Sequence, residues 1–274
     1  MVYLAACPLK LAGTRLSHCL PRPRPSRTLS VAYRIPGCYF KLCHSRDEAL
    51  VTEYVRIHTS IPVPKILDVV QIPVGSLHPY RNWLMISAVL PGVPLFLGGH
   101  RLRGASEQQV QRVSEYLRDW IGQLRNLQSP FGQRVCGFTG GSFRSFRIEN
   151  EFPVGPFTSI ADFHAHESLT LPEPLASDPH LARLVSARKN KSYRINLVHG
   201  DLLLHNILAD SDLRPTGLVD WECAGWMPEY WETVASSRSS FVFMWCWKDI
   251  RREAFPAYEA ELELDKQVQI SHGE

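Results

Sequence analysis

No stretch of this 274-residue chain approaches the roughly 20 consecutive apolar residues that a membrane span needs. We therefore expect no membrane partner. None of the seven cysteines, at 7, 19, 38, 43, 136, 223 and 246, stands in a C-x-x-C pair, and their number is odd. That argues against a zinc ribbon or a disulfide framework and places the chain in a reducing, cytoplasmic setting. No internal repeat is present. Acids are missing from the first 46 residues, which hold eight Lys or Arg; the first acid is Asp47. The net charge of +3 is thus misleading, because the rest of the chain has 22 bases against 27 acids, a balance of −5. Without a basic body we expect no nucleic-acid partner. The Phe138–Ser142 loop, FTGGS, lacks the Gly-Lys-Ser/Thr ending of a P-loop and is not read as a phosphate cradle.

What is present concentrates in residues 197–232, LVHGDLLLHNILADSDLRPTGLVDWECAGWMPEYWE. Asp201 closes His199-Gly200-Asp201, Asn206 follows five residues on, and Asp220 precedes Trp221-Glu222. Protein kinases use the same order: a catalytic-loop Asp, an Asn five residues later, then a metal-binding Asp. Two short apolar runs, Ile207-Leu208-Ala209 and Gly217-Leu218-Val219, flank a polar segment ending in Pro215. That pattern predicts a β-hairpin. The hairpin returns Asp220 to the side of Asn206, giving two oxygen ligands suited to Mg²⁺. Asp201 on the preceding loop is then placed to accept a proton from an attacking hydroxyl. An acid-rich surface hairpin is the plain alternative, and the D-W-E at hairpin distance argues against it.

These motifs resemble the aminoglycoside phosphotransferase and choline kinase superfamily, in the branch common among filamentous fungi. The likeness extends over residues 30–265 and is carried upstream by EALVTEYVRIHTSIPVPKI and by FTGGSFRS and GPFTSIADF. It implies an α+β, two-lobed protein kinase-like fold that moves the ATP γ-phosphoryl group to a small-molecule hydroxyl, with ATP and Mg²⁺ as cofactors. On that basis residues 29–90 form a small β-rich nucleotide-binding lobe and residues 91–274 a larger, mainly helical catalytic and acceptor-binding lobe.

LSVAYR and CYFKL are β-rich runs around Ile35-Pro36-Gly37 and should pair as a hairpin. Lys41 on the second run stands where the family's strand lysine grips the α- and β-phosphates. A helix follows over RDEALVTEYVRIH, with Asp47 as its N-cap. Glu48 in its first turn resembles the glutamate that aims the lysine, and Glu53 is the second choice. Further strands are expected over Ile66–Val70 and Trp83–Val89. Ser87 to Leu90 is read as the hinge, where the backbone of Ala88 and Leu90 would meet adenine; relatives often carry acids where this chain has Ser87-Ala88. The clearest helix is 106–127, opened by a Ser106/Gln109 capping box and carrying an apolar stripe that includes Tyr116 and Leu127.

Shorter helices are expected over Ser159–Leu169 and Asp178–Lys189, joined by the connector LPEP. His164 and His166 sit two apart, which cannot place both on one helical face, so no metal site is read from them. Trp226, Glu229 and Trp231, with Tyr230 and Glu232 beside them, lie on the family's acceptor side and would suit an amine-bearing substrate. Packing of the next helix explains the tryptophans equally well. Phe241–Trp247 reads as core and Tyr258–Val268 as a polar C-terminal helix.

The main departure from the family is at the front. The glycine-rich loop over the phosphates would fall within residues 1–28, which offer only Gly13 and a Pro-Arg run. That leader reads as an organellar transit peptide, an extended basic arm, or an unstructured tail including a misplaced start. Two functions from different classes follow. One is a Mg²⁺/ATP small-molecule kinase using Asp201, Asn206 and Asp220; the other is a catalytically silent binding protein on the same fold, from a shortened upper lobe.

Overall fold

Pro36 and Gly37 turn the first hairpin. Proline fixes its own φ near −65°, and Gly37 takes φ +80°, which a side chain resists. In the computed structural model, which describes residues 32–73, 77, 80–96, 102, 104–237 and 245–272, this hairpin joins β1 (Ala32–Ile35) to β2 (Cys38–Cys43). With β3 (Ile66–Gln71) and β4 (Trp83–Ala88) they form an antiparallel sheet in the order β1-β2-β4-β3. Lys41 pairs with Ala32 on one side and Met85 on the other, so it sits in the middle of the sheet. The expectations for residues 1–28 lie outside the described residues.

Helix α1 (Asp47–His58) connects β2 to β3. Ala49 packs with Cys43 and Met85 beneath the sheet, while Val51 and Val55 join the main core of the chain. The helix therefore ties the sheet to everything below it. Its N-cap is Arg46, not Asp47 as expected. Ser45 Oγ accepts from the Asp47 N–H, and the Asp47 carboxylate instead accepts from the Thr139 hydroxyl at 2.8 Å.

Beyond β4 the chain runs through Gly92, at φ +96°, into the short strand β5 (Val93–Pro94). A Cβ at Gly92 would lie 2.8 Å from the Ala209 carbonyl oxygen, so only glycine fits. Helix α2 (Glu107–Arg125) has the expected capping box and buries Val113, Leu117, Trp120 and Leu124. Tyr116 departs from the predicted stripe; at 40% exposed it lies at the stripe's edge. Short strands β6 (Cys136–Gly137), β7 (Phe143–Ser145) and β8 (Glu149–Val154) follow.

The helix expected over Ser159–Leu169 is broken into α3 (Ile160–His164), capped by Ser159, and a single 3₁₀ turn. The LPEP connector starts a one-turn helix, α4 (Glu173–Ala176), because proline is tolerated in a first turn. Asp178 caps α5 (Pro179–Asn190). Strand β9 (Ile195–Val198) leads into the signature, whose hairpin is β10 (Ile207–Ala209) and β11 (Pro215–Leu218). The Asp210 side chain shapes the turn by accepting from the Asp212 and Arg214 N–H groups. Strand β5 adds to β10, giving a β11-β10-β5 sheet. Strand β12 (Gly225–Pro228) sits between β6 and β9. Helices α6 (Trp231–Ala235), α7 (Trp245–Ala254) and α8 (Glu259–His272) complete the chain. Of the Phe241–Trp247 segment expected in the core, Cys246 and Trp247 are buried and residues 241–244 lie outside the described residues; α8 is longer than the sequence indicated.

Candidate active site

Gly200 makes the loop after β9 possible. It holds φ +78°, and a Cβ there would lie 2.3 Å from the Cys223 carbonyl oxygen. His199 is buried, which lowers its basicity, and its ring is neutral by its contacts: Nε2–H donates to the Val219 carbonyl and Nδ1 accepts from the Asp201 N–H. Asn206 Nδ2 donates to the Asp201 carbonyl at 2.8 Å and to Asp201 Oδ2 at 3.0 Å. Those bonds commit the amide nitrogen and leave the amide oxygen as the end available to a cation.

The hairpin returns as the spacing predicts. Ile207 pairs with Leu218, the Val219 N–H donates to the Asn206 carbonyl, and Asp220 follows directly. Asp220 is in the left-handed region, φ 69° and ψ 63°, which costs a non-glycine residue about 1–2 kcal/mol. Strain of this kind collects at functional sites.

Lys41 crosses from the sheet to meet it. Lys41 Nζ lies 2.7 Å from Glu48 Oε1 and 2.6 Å from Asp220 Oδ1. Burial by itself would lower the Lys41 ammonium, but Glu48 and Asp220 override it and hold the value well above the usual one. Asp220 responds in the opposite sense: burial pushes its carboxyl up, and the Lys41 charge brings it below the ordinary carboxylate value. Glu48 lies deeper, so desolvation outweighs the same lysine and its carboxyl is raised. Glu53, the second choice, pairs with Arg56 on the surface.

These groups face a cavity of about 600 Å³ between the sheet and the β10–β11 hairpin. Lys41, Glu48, Asn206 and Asp220 line it, with Tyr39 and Leu90 among its other walls. Asp201 is buried and does not line the cavity itself; its neighbours Asn206 and His205 do. His205 Nε2 is 3.4 Å from Asp201 Oδ2. Two cavity groups had no separate signal in the sequence. Arg81 Nη1 donates to the Leu42 carbonyl and to Glu222 Oε2 at 3.3 Å on the cavity wall. Tyr39 is a further wall two residues before Lys41, on the same strand face.

Part of the predicted site is corrected. The Ala88 N–H is spent on the Lys65 carbonyl at 2.9 Å, and the wall there is formed by Ser87, Val89 and Leu90. Trp226 is 1% exposed and stacks on Phe138, which in turn packs against Tyr54 of α1. Trp231 is 2% exposed, edge-on to Phe163. Glu229 is held by Arg125 at 2.9 Å and Arg194 at 3.2 Å. The two buried rings offer no surface to an acceptor, and the half-buried Glu229 is committed to its two arginines. Aromatic residues beside acids in sequence do not reveal which face they bury, and here packing took both rings.

A sheet whose central lysine reaches a helix glutamate, above a hairpin that carries Asn and Asp, is the arrangement of the kinase-like fold. The chain belongs to the phosphotransferase enzyme family, whose profile matches residues 45–265. Among solved structures it is similar to aminoglycoside phosphotransferase APH(4)-Ia, with a TM-score of 0.54 and 16% identity over 88% of this chain and 81% of that one. A thermostable mutant of the same protein in apo form gives a TM-score of 0.53 and 16% identity, covering 88% and 82%. Another, in a ternary complex with AMP-PNP and hygromycin B, gives 0.51 and 17% over 85% and 75%. No curated protein matches the sequence. Among the described residues no helix is long and apolar enough to cross a membrane.

Proposed function

We propose that this protein is an ATP-dependent, Mg²⁺-requiring phosphotransferase that moves the γ-phosphoryl group to a hydroxyl of a small molecule. The observation that carries the reading is the Lys41 ammonium, bonded to Glu48 and Asp220 on the wall of a cavity that Asn206 also lines. The volume is that of a small-molecule site. Residues 29–90 serve as the nucleotide lobe and residues 91–274 as the catalytic and acceptor lobe.

The donor set fits the metal: an amide oxygen and a carboxylate with about a third of its side chain exposed, both hard oxygen ligands. Asn206 and Asp220 would hold Mg²⁺, which when bound neutralises charge on the phosphates. Lys41 grips the phosphate oxygens, and Glu48 keeps it aimed. Tyr39 and the apolar walls near Leu90 receive the nucleobase, with the backbone at Leu90 as the polar contact. Asp201 accepts the hydroxyl proton while the acceptor oxygen bonds to the γ-phosphorus and the bond to the β-phosphate oxygen breaks.

The similar solved structure in complex with AMP-PNP and hygromycin B supports a nucleotide and a small molecule as ligand classes. A thermal-shift titration with Mg-ATP, followed by transfer of ³²P from labelled ATP to a panel of sugars, amines and alcohols, tests the proposal. A raised melting temperature with a labelled acceptor is expected. No stabilisation by Mg-ATP would overturn the kinase reading and favour the catalytically silent protein; stabilisation without transfer to any acceptor would likewise count against the kinase.

A further inference from the structure

We infer that Arg81, on the lead into β4, is a second phosphate-binding residue whose guanidinium meets the γ-phosphoryl group of the nucleotide. The inference rests on the phosphotransferase reading, because it assigns one contact within the nucleotide that this reading places in the cavity.

Lys41 has little capacity left for three phosphates. Its ammonium carries three N–H donors, and two of them point at Glu48 and Asp220. Arg81 lines the same cavity with more to offer. Its Nη1 spends both N–H groups on the protein, one on the Leu42 carbonyl at 2.9 Å and one on Glu222 Oε2 at 3.3 Å. Nε and Nη2 meet no acceptor among the described residues, which leaves three N–H donors. A guanidinium anchored through one nitrogen keeps its planar fork pre-organised, and that fork matches phosphate oxygens. The side chain is 13% exposed, so water and salt screen its charge little. Its counter-charge is also divided. Glu222 Oε2 lies 3.9 Å from Arg144 Nε of β7, so one carboxylate faces two guanidinium groups.

The register of the sheet gives the direction. Between β2 and β4, Tyr39 pairs with Ser87, Lys41 with Met85 and Cys43 with Trp83. Successive levels are two residues of strand apart, about 7 Å. Arg81 precedes Trp83 by two residues, and Nη1 reaches back to the Leu42 carbonyl between the second and third levels. The proposed function puts the base at Tyr39 and the first phosphates at Lys41. A nucleotide running along this row meets Arg81 last, and its last phosphate is γ. Charge spreads over the oxygens of that group during transfer, so a fixed guanidinium there stabilises the step as well as the bound triphosphate. Once the γ-phosphoryl group has left, the remaining diphosphate has no contact with Arg81 and is held by one charge fewer.

Calorimetric titration of Mg-AMP-PNP and of Mg-ADP into wild type, Arg81→Gln and Arg81→Lys tests the assignment, since the two ligands differ by the terminal phosphoryl group. Arg81→Gln should lose about tenfold or more in affinity for Mg-AMP-PNP, the scale of a charged hydrogen bond, and keep the wild-type affinity for Mg-ADP. Retained Mg-ADP binding also shows that the variant is folded. Arg81→Lys keeps the charge without the fork and should show a smaller loss, again confined to Mg-AMP-PNP. If Arg81→Gln does not fold, Arg81→Lys carries the test by the same comparison. Equal loss for the two ligands would overturn the inference and leave Arg81 as a brace on Glu222. Unchanged affinity for Mg-AMP-PNP in the folded variants would overturn it too, even if the KM of an acceptor rose. Binding of neither ligand by wild type would instead reject the phosphotransferase reading, and the inference with it.

Discussion

Lys41 and Asp220, 179 residues apart in sequence, meet at 2.6 Å across the cavity wall, and the same ammonium holds Glu48 at 2.7 Å. One cation thus registers a strand, a helix and a hairpin against each other. Lys41→Ala removes it and leaves two buried or half-buried carboxylates facing one another. The KM for Mg-ATP should rise by about tenfold or more, since a charged contact is worth roughly 1.5–3 kcal/mol. Steady-state kinetics with varied Mg-ATP checks this. An unchanged KM would make Lys41 a structural charge only.

The same ion pair fixes a pH window. Asp220 is held low, so its contribution to stability is present above the ordinary value of about 3.9 and is lost as acid reaches its lowered value. Lys41 is held high, so its contribution is present below about 10.4 and fades only above its raised value. Glu48 acts in the opposite sense, favouring the fold in acid. The stability difference between wild type and Asp220→Asn should be flat from about pH 5 to 10 and shrink in stronger acid. Urea unfolding at several pH values measures it, and a difference already shrinking at neutrality would contradict the pairing.

Trp226 should matter to stability and not to acceptor choice. Its ring lies in a stack with Phe138 and Tyr54 that props α1, the helix carrying Glu48. Trp226→Ala should cost about 3–5 kcal/mol of unfolding free energy. Trp226→Phe should keep the fold and the order of preference among acceptors. A changed preference in that variant would return Trp226 to the acceptor site.

The signature hairpin was legible because its spacing is geometric: a turn between two apolar runs must bring residue 220 back to residue 206. The Lys41–Glu48 pair was legible only through likeness to a family, since nothing in CYFKL or RDEAL by itself says that the two side chains meet. Three features were not readable. The short strand Val93–Pro94 completes a sheet with a hairpin more than 100 residues later, and no local pattern announces such pairing. Arg81 finds Glu222 from a loop without periodicity. Between an acceptor wall and helix packing the sequence could not choose for Trp226 and Trp231, because it gives composition and not the buried face; both rings are buried.

Asp201 and Asp220 should divide the chemistry. Asp201→Asn keeps the shape of the side chain and leaves Asn206 and Asp220 in place, so transfer should fall by about 10²–10⁴-fold, the scale of general base catalysis. Turnover of labelled ATP onto any accepted hydroxyl compound gives the number. Loss of less than about tenfold would place the proton acceptor elsewhere.

Calorimetric titration of Mg-ATP into wild type, Asp201→Asn and Asp220→Ala tests the central claim most directly, because it needs no knowledge of the acceptor. The account predicts one nucleotide per chain for wild type, similar affinity for Asp201→Asn, and loss of binding for Asp220→Ala that added Mg²⁺ partly restores. No binding by wild type, or equal loss in the two variants, would contradict it.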